Sequence, residues 1–579
     1  MTHPLVVYYT LVFDALHTPG RRRAVSLALL ALFTALFLIS NRGSYEAYFS
    51  DDDLDNLSWT RGARLGDFAI GLVSPRYSPL NFRPAGHFYF YLLGRAAGLD
   101  FRWYAAAIHA LHLAAVVLLW LLLRDLALSP LTAAAGALFF GFHMGLFDAL
   151  WKPMYVFDVL CAIFSLLCLL AWRRGYLVVS FLCFWLAYKS KEQAVMLPLV
   201  LAAYELWLGE RRWKRLALFF AVALSFGVQG LLFNPNIDND YTLRLRASSL
   251  ALTIPFYSSR VLLAPYLGLA LLALPFVVRD RRLWFGVAMA ALLLAPLLFL
   301  PGRLFAAYLY APVAALGIAA AVLADRVPWR WTAAFFALWL PANYAQLRWQ
   351  RRTALAEAQE NRAWVEAAGA AVRQSPQTRT FVYDGAPRAM HRWGIAGALR
   401  WFTGSEVKVY DIADAGVSEA FTTPGVMLLD WDPLARKLHA VARTPGGREA
   451  SYIEMTRGAP IWQLEEGWYP LEQRFRWIRP KARARLWRPA EARRFDLVVN
   501  AGPQLLKDLG RSRVEVLLNG ASLGTHEFRE PGWQRASWEV PPAEPGPVAV
   551  EFRVTPEYRP VGRDPRVLGI AIVSFGFTT

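Results

Sequence analysis

Apolar positions along this chain come in long blocks rather than in short alternations until about residue 347. Eleven such blocks run approximately over 24–40, 102–123, 129–147, 153–172, 175–189, 192–208, 214–233, 255–278, 283–300, 304–324 and 329–347. Most have the length of a helix cut to bilayer thickness, which needs about 20 apolar residues. A charged helix is expected over about 348–374. Beyond it the pattern changes to strand-like runs at Thr380–Tyr383, Val407–Tyr410 and Gly425–Leu429, with a helix near 389–402. From about 460 the alternation of strands dominates, at Phe495–Val499, Val514–Leu518, Ala536–Val540, Val548–Val554 and Leu568–Phe575. Turn signals such as Asn519-Gly520 and Pro531-Gly532 separate these runs, and short strands at regular spacing predict a sandwich. The pattern therefore predicts a polytopic α-helical membrane protein of about eleven transmembrane helices with a C-terminal α/β plus β-sandwich region. The expected divisions are 1–347 (transmembrane), 348–375 (connecting helix), 376–460 (small α/β region) and 461–579 (sandwich). No internal repeat is visible.

Charge placement orients the helices. Arg21–Arg23, Arg124, Arg173–Arg174, the run Arg211, Arg212, Lys214, Arg215, then Arg279, Arg281, Arg282, and Arg326 with Arg330 fall in alternate links. All can be cytoplasmic at once, which puts the N-terminus inside and everything after residue 347 outside. The same placement accounts for much of the net charge of +18 and argues against nucleic acid as a partner. No small-x-small site follows Arg21–Arg23 and the first block, so an uncleaved signal anchor is expected. The three cysteines, Cys161, Cys168 and Cys183, all lie in apolar blocks and read as small core residues, not as a disulfide framework or metal site.

The outer side carries the candidate chemistry. Its first loop, about 41–101, is too long for a simple connection. Its two amphipathic stretches, near 56–70 and 83–98, with Phe88, Tyr89, Phe90 and Tyr91, suit helices lying in the interface. Another outer loop, about 233–254, is polar, with Asn234, Asn236, Asp238, Asn239, Asp240, Arg244 and Arg246. The first loop opens with Asp51, Asp52, Asp53 and Asp55 just after the first span. Adjacent carboxylates repel, so they point to a divalent cation or to a general base facing a hydroxyl. The structural alternative is an acidic helix start that offsets the helix dipole. A second outer cluster, Tyr188-Lys189-Ser190-Lys191-Glu192-Gln193, sets two lysines and a glutamate between apolar blocks. Charges there are costly in lipid and should face a cavity, where the lysines could bind a phosphate; snorkelling is the alternative. Asn81-Phe82-Arg83-Pro84 with His87 follows the same logic. His109 and His112 share a helix face, for metal ligation or, more simply, packing. Arg303, ahead of Tyr308-Leu309-Tyr310, binds phosphate or snorkels.

Taken together, these motifs resemble the GT-C superfamily of membrane glycosyltransferases, particularly the protein O-mannosyltransferases and their bacterial relatives; the lipid A aminoarabinose transferases are more distant. Four motifs match in order over about residues 24–325: Asp52-Asp53 after the first span, Phe82-Arg83-Pro84, Ser190-Lys191-Glu192-Gln193-Ala194 leading into Leu197-Pro198, and Arg303 with Tyr308-Leu309-Tyr310. Three consecutive aspartates stand where the family carries an Asp-Glu pair. The resemblance implies an inverting transfer from a polyprenyl-phosphate-linked sugar to an acceptor hydroxyl on a protein, lipid or glycan, at the outer face of a bacterial inner membrane. It implies Asp52 as base, with Asp51 and Asp53 beside it. Lys189, Lys191, Glu192, Arg83 and Arg303 fall at the donor phosphate, and His109, His112, Tyr308 and Tyr310 in support. It leaves open a divalent cation, Mg or Mn, near Asp51, Asp52 and Asp53. The tail from Gly467-Trp468-Tyr469-Pro470 onward resembles β-sandwich modules appended to bacterial sugar-processing proteins, which implies a periplasmic or extracellular, carbohydrate-facing domain. The rival readings are a transporter or flippase for a lipid-linked sugar, against which the absence of repeats counts, and a membrane-anchored envelope assembly protein, against which the intramembrane charges count.

Overall fold

A computed structural model describes residues 19–579 apart from 77–81, 234–239, 241, 413, 415, 444–448 and 561–563. Asn81, Asn234, Asn236, Asp238 and Asn239 lie outside the described residues. The chain divides into two compact units between Gln359 and Glu360.

Among the described residues of the first unit, seven helices are long and apolar enough to cross a membrane by length and composition: Ala28–Glu46, Phe101–Asp125, Pro130–Trp151, Pro153–Arg173, Trp213–Phe233, Arg281–Phe299 and Ala306–Arg326. The last is the most buried and forms the spine of the bundle. Small residues let its neighbours approach closely. A Cβ on Gly136 would stand 2.3 Å from the Gly317 carbonyl, and one on Gly286 3.1 Å from the Ala319 nitrogen. Trp213–Phe233 is mostly uncovered, with Leu224, Leu231 and Leu232 exposed, as a lipid-facing helix requires.

The other four apolar blocks differ from expectation. Block 175–189 is the helix Leu177–Ser190, whose 14 residues rise about 21 Å, short of a bilayer core of about 30 Å. Block 192–208 is a 3-10 turn, Glu192–Met196, followed by the helix Leu197–Trp207. Block 255–278 is broken: the helix Ala247–Val261 ends, and Leu263 and Tyr266 take φ of +54° and +57° on either side of Pro265. Proline cannot continue the helical bonding there, and two left-handed residues reverse the chain. Block 329–347 continues without a break into the expected connecting helix, as one helix Trp329–Gln374 with Pro341 inside.

The long outer loop folds into three helices, Asp51–Gly62, Leu65–Val73 and Pro84–Ala97. The first expected amphipathic stretch is thus split at Ala63 and Arg64, where Asp67 turns back to accept from the Arg64 amide at 2.8 Å. Leu65, Ile70 and Val73 are exposed, consistent with a helix lying in the interface. Tyr89 and Phe90 are instead core residues, packed with Tyr104, because the Pro84–Ala97 helix turns that face inward.

The second unit contains the strands β1 (Thr380–Asp384), β2 (Lys408–Asp411), β3 (Met427–Asp432), β4 (Lys437–Ala442), β5 (Tyr452–Glu454), β6 (Trp468–Glu472), β7 (Phe475–Ile478), β8 (Lys481–Arg488), β9 (Arg494–Ala501), β10 (Ser512–Leu518), β11 (Ala521–Phe528), β12 (Gly532–Glu539), β13 (Gly546–Thr555) and β14 (Ala571–Thr578). One sheet has the order β2-β1-β3-β4, parallel except for β4. Two antiparallel sheets, β11-β10-β13-β8 and β12-β9-β14-β7-β6, form the sandwich, with β5 paired to β14. The β10–β11 hairpin turns on Asn519 and Gly520, with φ of +49° and +84°, the pair of left-handed residues that a two-residue type I′ turn demands. One continuous apolar core runs from Val382 and Leu428 of the small sheet into Phe495, Val516, Phe552 and Phe575 of the sandwich.

The end of the long helix belongs to this second unit. Trp364, Val365, Ala368 and Val372 are buried, and a Cβ on Gly369 would meet the Phe402 ring at 2.6 Å. Residues 360–579 expressed alone are therefore expected to melt cooperatively with a β-rich spectrum. Residues 376–579 lose Trp364 and its neighbours and should be less stable by at least about 3–5 kcal/mol, the scale of a buried Trp truncation. Equal melting temperatures for the two fragments would show that the helix end contributes nothing.

Candidate functional site

The acidic run begins a helix. Ser50 is the N-cap of Asp51–Gly62, and all three aspartates sit in its first turn. Carboxylates there are stabilised by the unpaired amides and the helix dipole. Their roles divide by position. Asp53 reaches back to the cap: the Ser50 amide and hydroxyl donate to its Oδ2 at 2.9 and 3.1 Å. It is wholly buried, and burial, reinforced by the neighbouring Asp52 charge, outweighs those bonds and lifts its pKa to about 7. Asp51 and Asp52 are half-buried. Asp52 is in electrostatic reach of Tyr155, as are Asp148, Asp158 and Tyr308.

A stability prediction follows from Asp53. Its folded pKa is raised above the unfolded value of about 4, so the folded protein holds this proton more tightly. Its contribution favours folding at low pH, declines as pH rises from about 4 to about 7, and is then constant. Melts of the detergent-solubilised protein at pH 5 and pH 8 should show a higher Tm at pH 5. Asp53→Asn keeps an oxygen for the cap and should reduce that difference; an unchanged pH dependence would place the titrating group elsewhere.

The cations arrive from later helices. Lys191 follows the Leu177–Ser190 helix in extended conformation (φ −160°, ψ 144°), which turns its side chain away from the course of Lys189. Its Nζ donates to both oxygens of Asp158, at 2.5 and 2.6 Å, and lies 4.2 Å from the centre of the Tyr308 ring. Arg83 caps the Pro84–Ala97 helix and binds Glu192 through Nε and Nη2, at 2.8 and 3.0 Å. Its backbone is held by His87, whose Nδ1 accepts from the Arg83 amide at 3.1 Å. Burial, helped by the Arg83 charge, keeps the His87 ring neutral at neutral pH, with a pKa of about 4. Arg303 donates to the Tyr308 hydroxyl at 3.4 Å and stacks over Phe305, whose ring is 6.3 Å from that of Tyr155.

Asp52, Asp158 and Tyr308 are thus in electrostatic reach of Tyr155; Lys191, Arg83 and Glu192 are in reach of Asp158; and Arg303 joins through Tyr308. Of the remaining residues singled out in the sequence, Lys189 donates to the Ser74 carbonyl at 2.6 Å, at the end of the Leu65–Val73 helix. His109 bonds the Tyr45 hydroxyl at 3.2 Å, and His112 bonds Tyr310 at 2.7 Å and the Gly141 carbonyl at 3.1 Å. These histidines tie helices together, the simpler of their two readings. Glu192, grouped with the phosphate binders in the sequence, has its carboxylate on Arg83, where it positions a cation. Among the described residues no three His, Cys, Asp or Glu side chains converge to hold a metal ion. At Asp53 the cap occupies Oδ2.

Sequence reasoning missed Asp158, Tyr155 and Lys152. Asp158 is the one acid in an apolar block of twenty residues, which is itself a signal of function or pairing. Lys152 stands between two blocks; it pairs with Asp148 at 3.3 Å and is in electrostatic reach of Asp53.

No protein-family model matches the chain, and no curated protein matches it. Among solved structures it is similar to ArnT from Cupriavidus metallidurans bound to undecaprenyl phosphate, with 16% identity and a TM-score of 0.45 over 71% of this chain and 97% of that one. The apo state of ArnT gives 15% identity and 0.45 over 75% and 97%. The arabinofuranosyltransferase AftD from Mycobacteria gives 13% identity and 0.42, over 95% of this chain and 58% of AftD.

Proposed function

We propose that this protein is a GT-C-type membrane glycosyltransferase that moves a sugar from a polyprenyl-phosphate carrier to an acceptor hydroxyl. The observation that carries the reading is that the first-loop carboxylate Asp52 is in electrostatic reach of Tyr155, as is Asp158, the partner of Lys191, while Arg83 of the same loop pairs with Glu192 next to Lys191 in the chain. In such a reaction the base and the phosphate site flank the anomeric carbon from opposite sides. The carrier is taken to be of the class of the undecaprenyl phosphate in the ArnT structure.

In this reading Asp52 takes the proton of the acceptor hydroxyl as its oxygen bonds to the anomeric carbon from the face opposite the phosphate. The bond from that carbon to the carrier's phosphate oxygen breaks, and the lipid phosphate leaves with the electron pair. Inversion follows from the single displacement. The added negative charge falls to Lys191, Arg83 and Arg303, fixed beforehand by Asp158, Glu192 and Tyr308. Preorganised charge of this kind lowers a barrier more than charge that must be gathered during the reaction. Tyr308, against Lys191, closes the apolar side. The basic links support an N-terminus in the cytoplasm and a second unit outside a bacterial inner membrane in this reading.

The test is transfer in proteoliposomes from a radiolabelled polyprenyl-phosphate sugar to an envelope extract, with released polyprenyl phosphate measured alongside. Stoichiometric release with labelled acceptor is expected. Movement of the intact donor across the bilayer without release would favour a transporter.

A further inference from the structure

At the other end of the bundle lies a polar cavity. Three helices lead to it from the candidate site. Phe101–Asp125 starts near Asp53 and ends at Asp125, Val156–Arg173 carries Asp158 near its start, and Leu197–Trp207 follows Lys191 and Glu192. Asp158 and Arg173 are fifteen residues apart on one helix, or about 22 Å. The cavity is open to one side, has a volume of about 420 Å³ and is lined by Arg173, Arg174, Arg212, Tyr204, Asp125 and Glu210, among others.

The cavity is built, not a chance gap among surface arginines. Arg173 donates to the Tyr204 hydroxyl at 3.2 Å and to the Asp125 carbonyl. Arg174 binds the Asp125 carboxylate through Nε and Nη2, at 2.9 and 3.2 Å. Behind the wall, the fully buried Glu205 accepts from the Trp172 indole at 2.7 Å and from the Arg212 amide at 2.8 Å, which fixes the backbone that carries Arg212. Arg212 Nε is buried without a hydrogen bond, 3.4 Å from Glu210 in an ion pair. Three arginines face Asp125 and Glu210 in the lining, with Glu205 3.9 Å behind Arg212, so the wall itself is balanced. The excess of positive charge comes from Arg211, Lys214 and Arg215 next to it in the chain.

The rim is apolar and aromatic. Tyr176, Leu206 and Trp213 are exposed beside Arg174, Leu208 and Arg212. Aromatic side chains at a helix end next to basic ones are characteristic of the headgroup level of a bilayer. We infer that this cavity binds the phosphate of an anionic membrane lipid, with Arg173, Arg174 and Arg212 on the phosphate and the acyl chains along the Leu206 side. The lipid belongs to the leaflet opposite the candidate site, so the site is distinct from the proposed transfer and does not depend on that reading.

Native mass spectrometry of the purified full-length protein in detergent tests this, with phosphatidylglycerol, phosphatidylcholine and inorganic phosphate as probes. Phosphatidylglycerol should bind at least about fivefold more tightly than phosphatidylcholine, and Arg174→Gln and Arg212→Gln should each weaken it about fivefold, the effect of one basic residue near a membrane surface. Arg279→Gln, an exposed arginine outside the cavity, should leave it unchanged. Arg174 is half exposed, so its variant decides the matter if Arg212→Gln fails to fold. Equal binding of the two lipids, insensitivity to both variants, or an equal loss with Arg279→Gln would overturn the inference. Full displacement of phosphatidylglycerol by millimolar inorganic phosphate would reassign the cavity to a soluble anion.

Discussion

Asp52→Asn is expected to slow transfer by on the order of a hundred- to ten-thousand-fold, the usual cost of losing a general base. The substitution keeps the size of the side chain and most of its hydrogen bonding. It removes one carboxylate from a helix start that has two more, a loss on the order of 0.3–1 kcal/mol in stability. Expression, melting temperature and binding of the lipid-linked donor should change little. Asp55→Asn is the control: Asp55 lies one position beyond the acidic first turn of that helix, where a carboxylate is not needed for the proposed reaction. It should cost less than about threefold in rate, on the scale of ordinary surface substitutions. Asp53→Asn is distinguishable from both. Asp53 is buried in the cap, so its loss should appear first in the pH dependence of melting. Normal transfer by Asp52→Asn, with Asp51→Asn and Asp53→Asn also unimpaired, would remove the base from the mechanism and favour transport without chemistry.

The second large effect concerns Lys191 and Asp158. Their side chains are 11% and 2% exposed and their pairing distance is 2.5 Å, so each neutralises the other in a region with little water. Lys191→Met alone leaves Asp158 buried without its partner. Breaking a buried pair in this way costs on the order of 3–5 kcal/mol, and much of the protein should be lost during expression or melt far below the native form. Lys191→Met with Asp158→Leu removes both charges. Replacing a buried pair with apolar groups of similar volume is often neutral or stabilising, so the double variant should regain a native-like Tm. It should still fail to transfer sugar, because the phosphate would have lost a cation. Recovery of both Tm and activity in the double variant would make the pair a packing device. Loss of activity with recovered Tm separates a role at the phosphate from a role in folding.

Much of the architecture was legible because it rests on local patterns. Seven of the apolar blocks appear as helices fit to cross a bilayer, and alternation located β9, β10, the later part of β12, β13 and the first part of β14. Strand β8, Lys-Ala-Arg-Ala-Arg-Leu-Trp-Arg, alternates just as strictly but escaped notice, since alanine is a weak signal of an inward face even when it is fully buried, as Ala482 and Ala484 are. The strands β4 to β7 and β11 were missed because several are short, and β6 and β11 pair through irregular registers. The block at 255–278 was composition without continuity: most of its residues suit a membrane, but Pro265 and its left-handed neighbours break the helix.

The candidate site divides along the same line. Sequence by itself determined which residue types stand at the ends of the apolar blocks, because a charge there is costly in lipid and conspicuous among apolar neighbours. It also placed Asp51–Asp53 at a helix start, since capping is a matter of neighbours in the chain. Only the tertiary structure decided the pairings: Lys191 with Asp158, 33 residues apart, and Arg83 with Glu192, 109 apart. Those depend on which helices pack side by side, which no local spacing encodes. It also separated Lys189 from Lys191, two residues apart and alike in chemistry. The helix ends between them and the backbone becomes extended, so one lysine caps the Leu65–Val73 helix and the other enters the site.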